Sequence, residues 1–364
     1  MKNKETLTVS LIAVLGGIGF GMLLLLISGQ DVGALFSSFL KGISGIDLSS
    51  DVVAVDLRYF GEFLVECMPI ILTGLSVGFA YRSGLFNIGA EGQLIIGSMA
   101  SVAVAILFPM PGILHVIMCI LAGGIAGALW GAIPGLLKSK FNVHEVVICI
   151  MMNYTGLQVA NYCIKQLPGS TQTKTVAIPE TASLSSDFLK GITNNSRLNW
   201  GILLVIIAVL IYWFIMHKTT FGYSLRATGF NQDAAKYAGM KVQRNIVYSM
   251  MIAGAFAGLA GAILSLGTFN LGRVLTTFEN YGFDGIAVAL VGACNVVGVV
   301  LSGLLFGLLK VAQNSMQSFG IPKETGQIIS ACIVLFVAMK YGIVYLKEKY
   351  KKKINKSERR GEEA

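Results

Sequence analysis

The sequence predicts an all-α polytopic membrane protein with about ten transmembrane helices. Only 13% of its 364 residues are charged, 54% are hydrophobic, and the mean hydropathy is +0.71. A soluble domain carries roughly 25% charged residues, so water is not the main solvent of this chain. The 43 glycines lie within apolar runs and follow no collagen period, which is typical of membrane helices that pack closely through small residues.

Ten apolar stretches account for the predicted spans. The first, residues 7–28, is uncharged and long enough to cross about 30 Å of hydrocarbon at 1.5 Å per residue. We expect it to be retained, because it is too long for a signal peptide and lacks a small-residue cleavage site. The eighth and ninth stretches are short, which favours half-helices or a broken pair inside the bundle. After the first, the stretches are 61–80, 88–108, 113–137, 143–164, 199–216, 246–266, 283–294, 296–311 and 327–345.

Basic residues predict that both termini lie in the cytoplasm. With this orientation, most of the 28 Lys and Arg fall on the cytoplasmic side, and Lys310 is left inside a predicted span. The chain then divides into a transmembrane domain, 1–346, and a basic cytoplasmic tail, 347–364. The hydrophilic segments 29–59 and 165–198 are predicted to lie outside the cell, and the segment 218–245 inside it.

A glycine-containing turn brings polar residues into the membrane domain before the third span. Asn87 and Glu91 are four residues apart and would share one face of a helix, with Gln93 close by. A carboxylate within a span costs roughly 2.5 to 3.5 kcal/mol, so Glu91 is not expected to face lipid. These three residues either line a solute pathway or hold helices together, and both interpretations stay open.

Two further polar sets lie in later spans. Glu145 and Asn153 share a helical face with Cys149, and this stripe either lines a hydrophilic path or hydrogen-bonds across helices. Phe283 and Asp284 open the short eighth span, where Asp284 resembles a helix N-cap and capping alone would explain it. Together with the residues around Glu91, these sets form the candidate translocation pathway.

The predicted cytoplasmic segment contains a short capped helix. Asn231 is expected to cap it and Gly239 to end it, which leaves about two turns. A helix of this length needs something to pack against. A groove on a cytoplasmic partner would provide that surface, and a solvated loop is the alternative.

The sequence contains no motif for catalysis or for metal binding. The phosphate loop GxxxxGK[ST] is absent, as are GxSxG, HExxH and any Cys/His cluster, so the chain is not expected to be an enzyme. The six cysteines lie singly and are interpreted as small buried hydrophobes. Residues 122–127 and 253–258 are similar small-residue runs, which indicates either an inverted repeat or two packing seams.

Four runs together resemble the permeases of ABC importers for nucleosides and simple sugars, within the branched-chain amino acid and ribose permease superfamily. They occur in family order as YRSGLFNIGAEGQ at 81–93, KSKFNVHEVVICIMMN at 138–153, GFNQDAAKYAGM at 229–240 and GFDGIAVAL at 282–290. The chain departs from the family pattern at His144 and in the stretch 292–298. The resemblance implies the type II importer arrangement, in the cytoplasmic membrane of a bacterium.

The resemblance also implies the partners. These are a second related permease, a cytoplasmic subunit with tandem nucleotide-binding domains that holds ATP and Mg, and a substrate-binding lipoprotein, with no nucleic acid and no cofactor on this chain. It favours a nucleoside as substrate over a simple sugar such as ribose or galactose. An ion-coupled secondary transporter using Glu91, Glu145 and Asp284 is the hypothesis from another class. The ATPase-coupling residues implied by the resemblance are Asn231, Asp233, Ala234, Ala235, Tyr237 and Gly239.

Overall fold

The computed structural model describes residues 15–23, 25–27, 29, 32–46, 56–318 and 321–339. Within these ranges the chain is largely helical and has one pair of short antiparallel strands, β1 Lys174–Ala177 and β2 Leu271–Arg273. The helices are α1 Leu15–Ile27, α2 Val32–Ser44, α3 Leu57–Arg82, α4 Ala90–Leu107, α5 Gly112–Phe141, α6 Glu145–Gln166, α7 Asp187–Ile192, α8 Gly201–Lys218, α9 Thr220–Phe230, α10 Gln232–Tyr237, α11 Val242–Ile263, α12 Tyr281–Val291, α13 Val296–Ser318 and α14 Lys323–Ala338.

The helices confirm the predicted all-α polytopic membrane fold. Seven of those described are long and apolar enough to cross a membrane, and the shorter apolar helices α1, α12 and α14 coincide with the first, eighth and tenth predicted spans. The prediction that the ninth span is short is wrong. Its apolar run ends near Val311, but the amide-rich residues after it continue the helix to Ser318, because Ala, Gln and Met are good helix formers. The basic tail, 347–364, lies outside the described residues.

Helix α3 defines the two ends of the bundle. Its 26 residues span about 39 Å, enough to cross the hydrocarbon core. Near Leu57, the first residue of α3, Glu62 accepts hydrogen bonds from Arg197. Beyond Arg82, the last residue of α3, the backbone of Gly84 packs against Gly229. The segments 165–198 and 218–245 therefore lie at opposite ends of the bundle, which we call the Leu57 end and the Arg82 end.

Glycines let α5 and α11 pack with their backbones in contact. A Cβ added at Gly127 would collide with the carbonyl oxygen of Gly254, and one added at Gly131 would lie 3.2 Å from the Gly254 Cα. Gly123 and Gly258 meet in the same way, so the two helices run antiparallel. The similar runs at 122–127 and 253–258 are thus the two sides of one packing seam, and this antiparallel arrangement is compatible with both interpretations of their similarity.

Buried aromatic rings join the helices at the centre of the bundle. The Phe79 ring of α3 lies 5.5 Å from Tyr212 of α8 and 6.0 Å from Phe256 of α11, measured between centroids. All three side chains are buried. By contrast, α5, α6 and α8 each expose many large apolar side chains, as helices that face lipid do.

Candidate functional site

The connection between α3 and α4 turns back into the bundle. The Leu85 amide donates to the Ala80 carbonyl at 3.0 Å, and the Asn87 side chain donates to Ser76 Oγ at 3.0 Å. By Asn87 the chain has therefore returned past the last turn of α3, and α4 begins inside the bundle. Non-helical backbone at this depth must be covered by protein, because lipid offers it no hydrogen bonds.

Three buried amide side chains provide that cover. Asn87 and Gln93 exchange hydrogen bonds of 2.8 and 3.1 Å. From α6, Asn153 accepts from the Gly92 amide at 2.9 Å and donates to the Ile88 carbonyl at 3.0 Å. The polar stripe on α6 thus hydrogen-bonds across helices in this structure. A place beside the solute pathway stays a prediction for all three residues.

Glu91 caps a helix that is distant in sequence. Its side chain is fully buried and accepts three backbone amides at the start of α12, from Glu279 and Asn280 at 3.0 Å and from Gly282 at 2.6 Å. A carboxylate next to a helix N-terminus is favourable because the free amides there carry partial positive charge. The expected shared helical face of Asn87 and Glu91 is wrong, because α4 begins only at Ala90 and the two side chains join different networks.

Asp284 does not cap α12, contrary to the sequence prediction. Asn280 occupies the N-cap position, and the Asp284 amide donates to the Asn280 carbonyl at 2.8 Å from within the first turn. The Asp284 carboxylate instead lies 3.3 Å from Lys310 Nζ, which is also 3.5 Å from the centre of the Tyr281 ring. The candidate site residues predicted from the sequence did not include Lys310. Its position within a predicted span could have indicated a functional role, because charged residues there are rare.

Glu145 forms an ion pair with Lys138 where α5 ends and α6 begins. Its carboxylate lies 3.1 Å from Lys138 Nζ, and both side chains are largely buried. Glu145 is in the first turn of α6 and Lys138 in the last turn of α5, so each charge also complements the dipole of its own helix.

A cavity of about 550 Å³ lies between α12, α13 and α14, with the Asp284–Lys310 pair on its wall. A second cavity, of about 480 Å³, lies beside β2 and shares Glu279 with the first. The Arg273 guanidinium binds Glu279 through two hydrogen bonds of 2.6 and 2.8 Å. The first cavity is lined by Glu279, Asn280, Phe283, Asp284, Ile286, Ala287, Phe306, Lys310, Gln313, Gln327, Ser330, Ala331 and Val334.

An ion-pair network fixes the segment 165–198 to α3 at the Leu57 end. Arg197 donates its backbone amide to Glu62 Oε1 at 2.9 Å and its side chain to Glu62 Oε2 at 2.8 Å, with Glu66 at 3.9 Å. Burial lowers the pKa of Arg197, but the hydrogen bond and charge of Glu62 raise it, and the net pKa is above the usual arginine value. Glu66 in turn accepts the Tyr281 hydroxyl at 2.9 Å, which links this network to the start of α12.

The short helix α10 has the predicted cap and end. The Asn231 side chain accepts the Ala234 amide at 3.0 Å, and Gly239 adopts a φ of 79° that favours glycine. Tyr237 on this helix is 98% exposed, while Asp233 is also exposed. Ala235 is buried against this chain, and its role in ATPase coupling stays a prediction, as it does for the other residues of this helix.

Comparison with known proteins decides the family. The model of the family described as branched-chain amino acid transport system / permease component matches residues 59–338, most of the chain. The chain belongs to this permease family. The assignment confirms the resemblance found in the four sequence runs.

Relatives of this permease include two nucleoside permeases aligned over nearly the full length. The permease is 47% identical to the guanosine ABC transporter permease protein NupP of Bacillus subtilis (strain 168) over 97% of its own chain and 99% of NupP. It is 34% identical to the nucleoside ABC transporter permease protein NupB of Lactococcus lactis subsp. cremoris (strain MG1363), over 100% of both chains. A glucose ABC transporter permease protein of Haloferax volcanii, TsgB13, is 33% identical over 76% of the permease and 75% of TsgB13.

Proposed function

We propose that this permease is the membrane subunit of an ABC importer that moves nucleosides across the cytoplasmic membrane. The observation that carries the proposal is the 47% identity to NupP across 97% of the chain, including both hydrophilic segments. The relative named for a sugar is 33% identical and aligns with only 76% of the chain, so a sugar substrate is not favoured.

The energy source in this proposal is a separate ATPase subunit with tandem nucleotide-binding domains, which holds ATP and Mg. The chain has no phosphate loop to bind nucleotide itself. The α10 helix and the end of α9 present Tyr237 and Phe230 with 98% and 92% of their surface exposed. Aromatic side chains displayed in this way are typical anchors of protein interfaces, which supports α10 as the ATPase-docking element.

The contacts of α9 suggest how ATPase motion reaches the pathway. At one point Gly229 packs on the backbone of the α3–α4 turn, next to Gly84. At another, Asn245 of α11 donates to Ser224 Oγ at 2.7 Å and Thr228 Oγ1 at 2.9 Å. Movement of α10 and α9 would therefore shift both α11 and the turn that precedes Glu91. ATP binding then biases the permease between two states that expose the pathway to opposite sides.

The remaining partners of the proposal are a second related permease and a substrate-binding lipoprotein. The segment 165–198, anchored at the Leu57 end by Arg197, is the proposed docking site of the lipoprotein, since it lies at the opposite end from α10. In the ion-coupled alternative, Glu91, Glu145 and Asp284 would bind the ion. Backbone amides engage Glu91 and Lys138 pairs with Glu145, which supports structural roles for these two. Asp284 already has a positive counter-charge in Lys310, which does not favour a cation site there.

Uptake by the reconstituted complex tests the proposal. Labelled guanosine, adenosine, ribose and galactose are supplied to proteoliposomes that contain the permease pair, the ATPase and the lipoprotein, with ATP on the ATPase side. We expect nucleoside uptake that continues in the presence of an ionophore and stops when the ATPase is inactivated. Sugar uptake without nucleoside uptake would contradict the substrate, and uptake abolished by the ionophore would contradict the transporter class.

A further inference from the structure

An ion pair lies within the apolar bundle, where lipid would make it costly. Lys310 lies seven residues before Gln317, the end of its span, which is about 10 Å at 1.5 Å per residue. Lys310 and Asp284 nevertheless keep 24% and 32% of their side-chain surface exposed. Charged groups at such depth face one another or a water-filled cavity, and they commonly mark solute pathways. Here they form part of the wall of the cavity between α12, α13 and α14.

The rest of the lining of this cavity combines aromatic rings and amide side chains with aliphatic residues. Phe283 and Phe306 supply the rings, and Asn280, Gln313 and Gln327 supply the amides. An amide both donates and accepts hydrogen bonds, and can therefore pair with the edge of a nucleobase or with sugar hydroxyls. The volume of about 550 Å³ lies within the range of small-molecule sites, roughly 300 to 1,000 Å³.

A chain of contacts connects this cavity to the one beside β2. The Phe283 ring meets Phe278 edge-on with centroids 5.8 Å apart, and Phe278 lines the second cavity. Glu279 lines both cavities and is held by Arg273. The second cavity also includes Lys174 of β1, in the segment 165–198. The two cavities therefore follow one another from the Leu57 end towards the interior.

Glu91 positions the residues that divide and line these cavities. It accepts the amides of Glu279, Asn280 and Gly282, so that the non-helical stretch before α12 is held in place. Glu91 itself is fully buried and does not line either cavity. It is a positioning residue and not a ligand in this arrangement.

We infer that the cavity between α12, α13 and α14 is the permease's own nucleoside-recognition site, with Phe283 stacking on the base. Gln313 and Gln327 bind the base edge, and Asp284 accepts a sugar hydroxyl while Lys310 neutralises its charge. The inference rests on the proposed function and names the residues that select the solute within the membrane. It requires that the permease, and not the binding protein alone, discriminates among nucleosides.

Kinetics of the complete reconstituted transporter test this site. Phe283→Ala is expected to lower kcat/KM for guanosine uptake roughly ten-fold, because stacking on the base is lost. Gln313→Ala is expected to shift the ratio of guanosine to cytidine uptake by a similar factor. ATP hydrolysis without nucleoside, measured in parallel, reports whether each variant transporter is assembled with its ATPase. The matched control is Phe214→Ala, which removes an exposed ring of α8 outside the cavity.

Cysteine labelling tests whether the cavity binds nucleoside even if the Phe283→Ala transporter fails to assemble. Ala331→Cys places a thiol on the cavity wall, whereas Ile328→Cys places one on the exposed surface of α14 outside the lining. Excess guanosine should slow maleimide labelling of the first thiol, above the background of native cysteines, and leave the second unchanged. If wild-type transporter imports guanosine but guanosine gives Ala331→Cys no protection, the inferred site is wrong and the proposed function stands. If wild-type transporter imports no nucleoside, the proposed function itself fails.

Discussion

Glu91 shows how one residue can organise a membrane-protein interior. Its carboxylate satisfies three backbone amides of a stretch that lipid could not hydrate. Each such bond to a charged acceptor contributes more than a neutral one, and an unpaired buried amide is costly. The residue therefore serves the architecture directly and the solute path only through α12.

The first prediction concerns this carboxylate. Glu91→Gln keeps the size of the side chain but replaces one acceptor oxygen with a donor that opposes the α12 amides. We expect the free energy of unfolding to fall by about 2 to 3 kcal/mol, measured by thermal unfolding of the detergent-purified protein. Glu180→Gln, at an exposed position, is the control and should change nothing. An unchanged midpoint for Glu91→Gln would contradict the capping role.

At the scale of elements, the glycines of α5 differ in whether they contact the backbone or only a side chain of α11. Gly127 touches the backbone of Gly254, whereas Gly124, one turn away, meets only the flexible Leu259 side chain at 3.3 Å. A backbone atom cannot move aside for an added methyl group as the end of a side chain can. We therefore expect Gly124, but not Gly127, to accept alanine.

The second prediction uses this pair. Gly127→Ala should destabilise the protein by about 1 to 3 kcal/mol through overpacking, which lowers the thermal midpoint in detergent. Gly124→Ala should be neutral or slightly stabilising, because alanine favours the helix by about 1 kcal/mol over glycine. Equal effects of the two substitutions would show that the seam is not packed as described.

The third prediction concerns α10. Tyr237 is almost fully exposed, so Tyr237→Ala should leave the thermal midpoint of the permease unchanged. Loss of an aromatic anchor should weaken binding of the ATPase by about 2 kcal/mol, roughly thirty-fold in Kd. The measurement is affinity of the purified ATPase for permease in nanodiscs.

Phe188→Ala, an exposed aromatic at the Leu57 end, is the control for Tyr237→Ala. It should bind the ATPase as wild type does. Wild-type affinity for Tyr237→Ala, or a parallel loss for Phe188→Ala, would argue against ATPase docking at α10.

At the scale of the whole molecule, the structure places the segments 165–198 and 218–245 at opposite ends of α3. The distribution of basic residues predicts that the second of these faces the cytoplasm. Together they make the complete orientation testable with one thiol in each segment.

The fourth prediction is therefore about accessibility. In intact cells, a membrane-impermeant maleimide should label Asp187→Cys and should label Asp233→Cys only after permeabilisation. Both positions are exposed, so burial does not limit the reaction. The reverse pattern would place α10 outside the cell and exclude docking to a cytoplasmic ATPase.

Much of the fold could be predicted without coordinates. Helices that cross lipid must carry long apolar runs, so the order and approximate bounds of most apolar helices follow from the hydropathy pattern along the chain. The cap of α10 was also predictable from the sequence, because Asn231 lies only three residues before Ala234, whose amide donates to it. The ninth span was predicted too short because its last turns carry amides in place of apolar side chains.

What the sequence by itself determined is the class of the protein, its spans and its short capped helix, all of which depend on residues close together along the chain. Only the tertiary structure decided which polar groups meet. Glu91 and Glu279 are 188 residues apart, and Asp284 reaches Lys310 across two helices. In the bundle a buried polar group must find a partner wherever one is within reach, and that distance is set by helix packing and not by sequence separation.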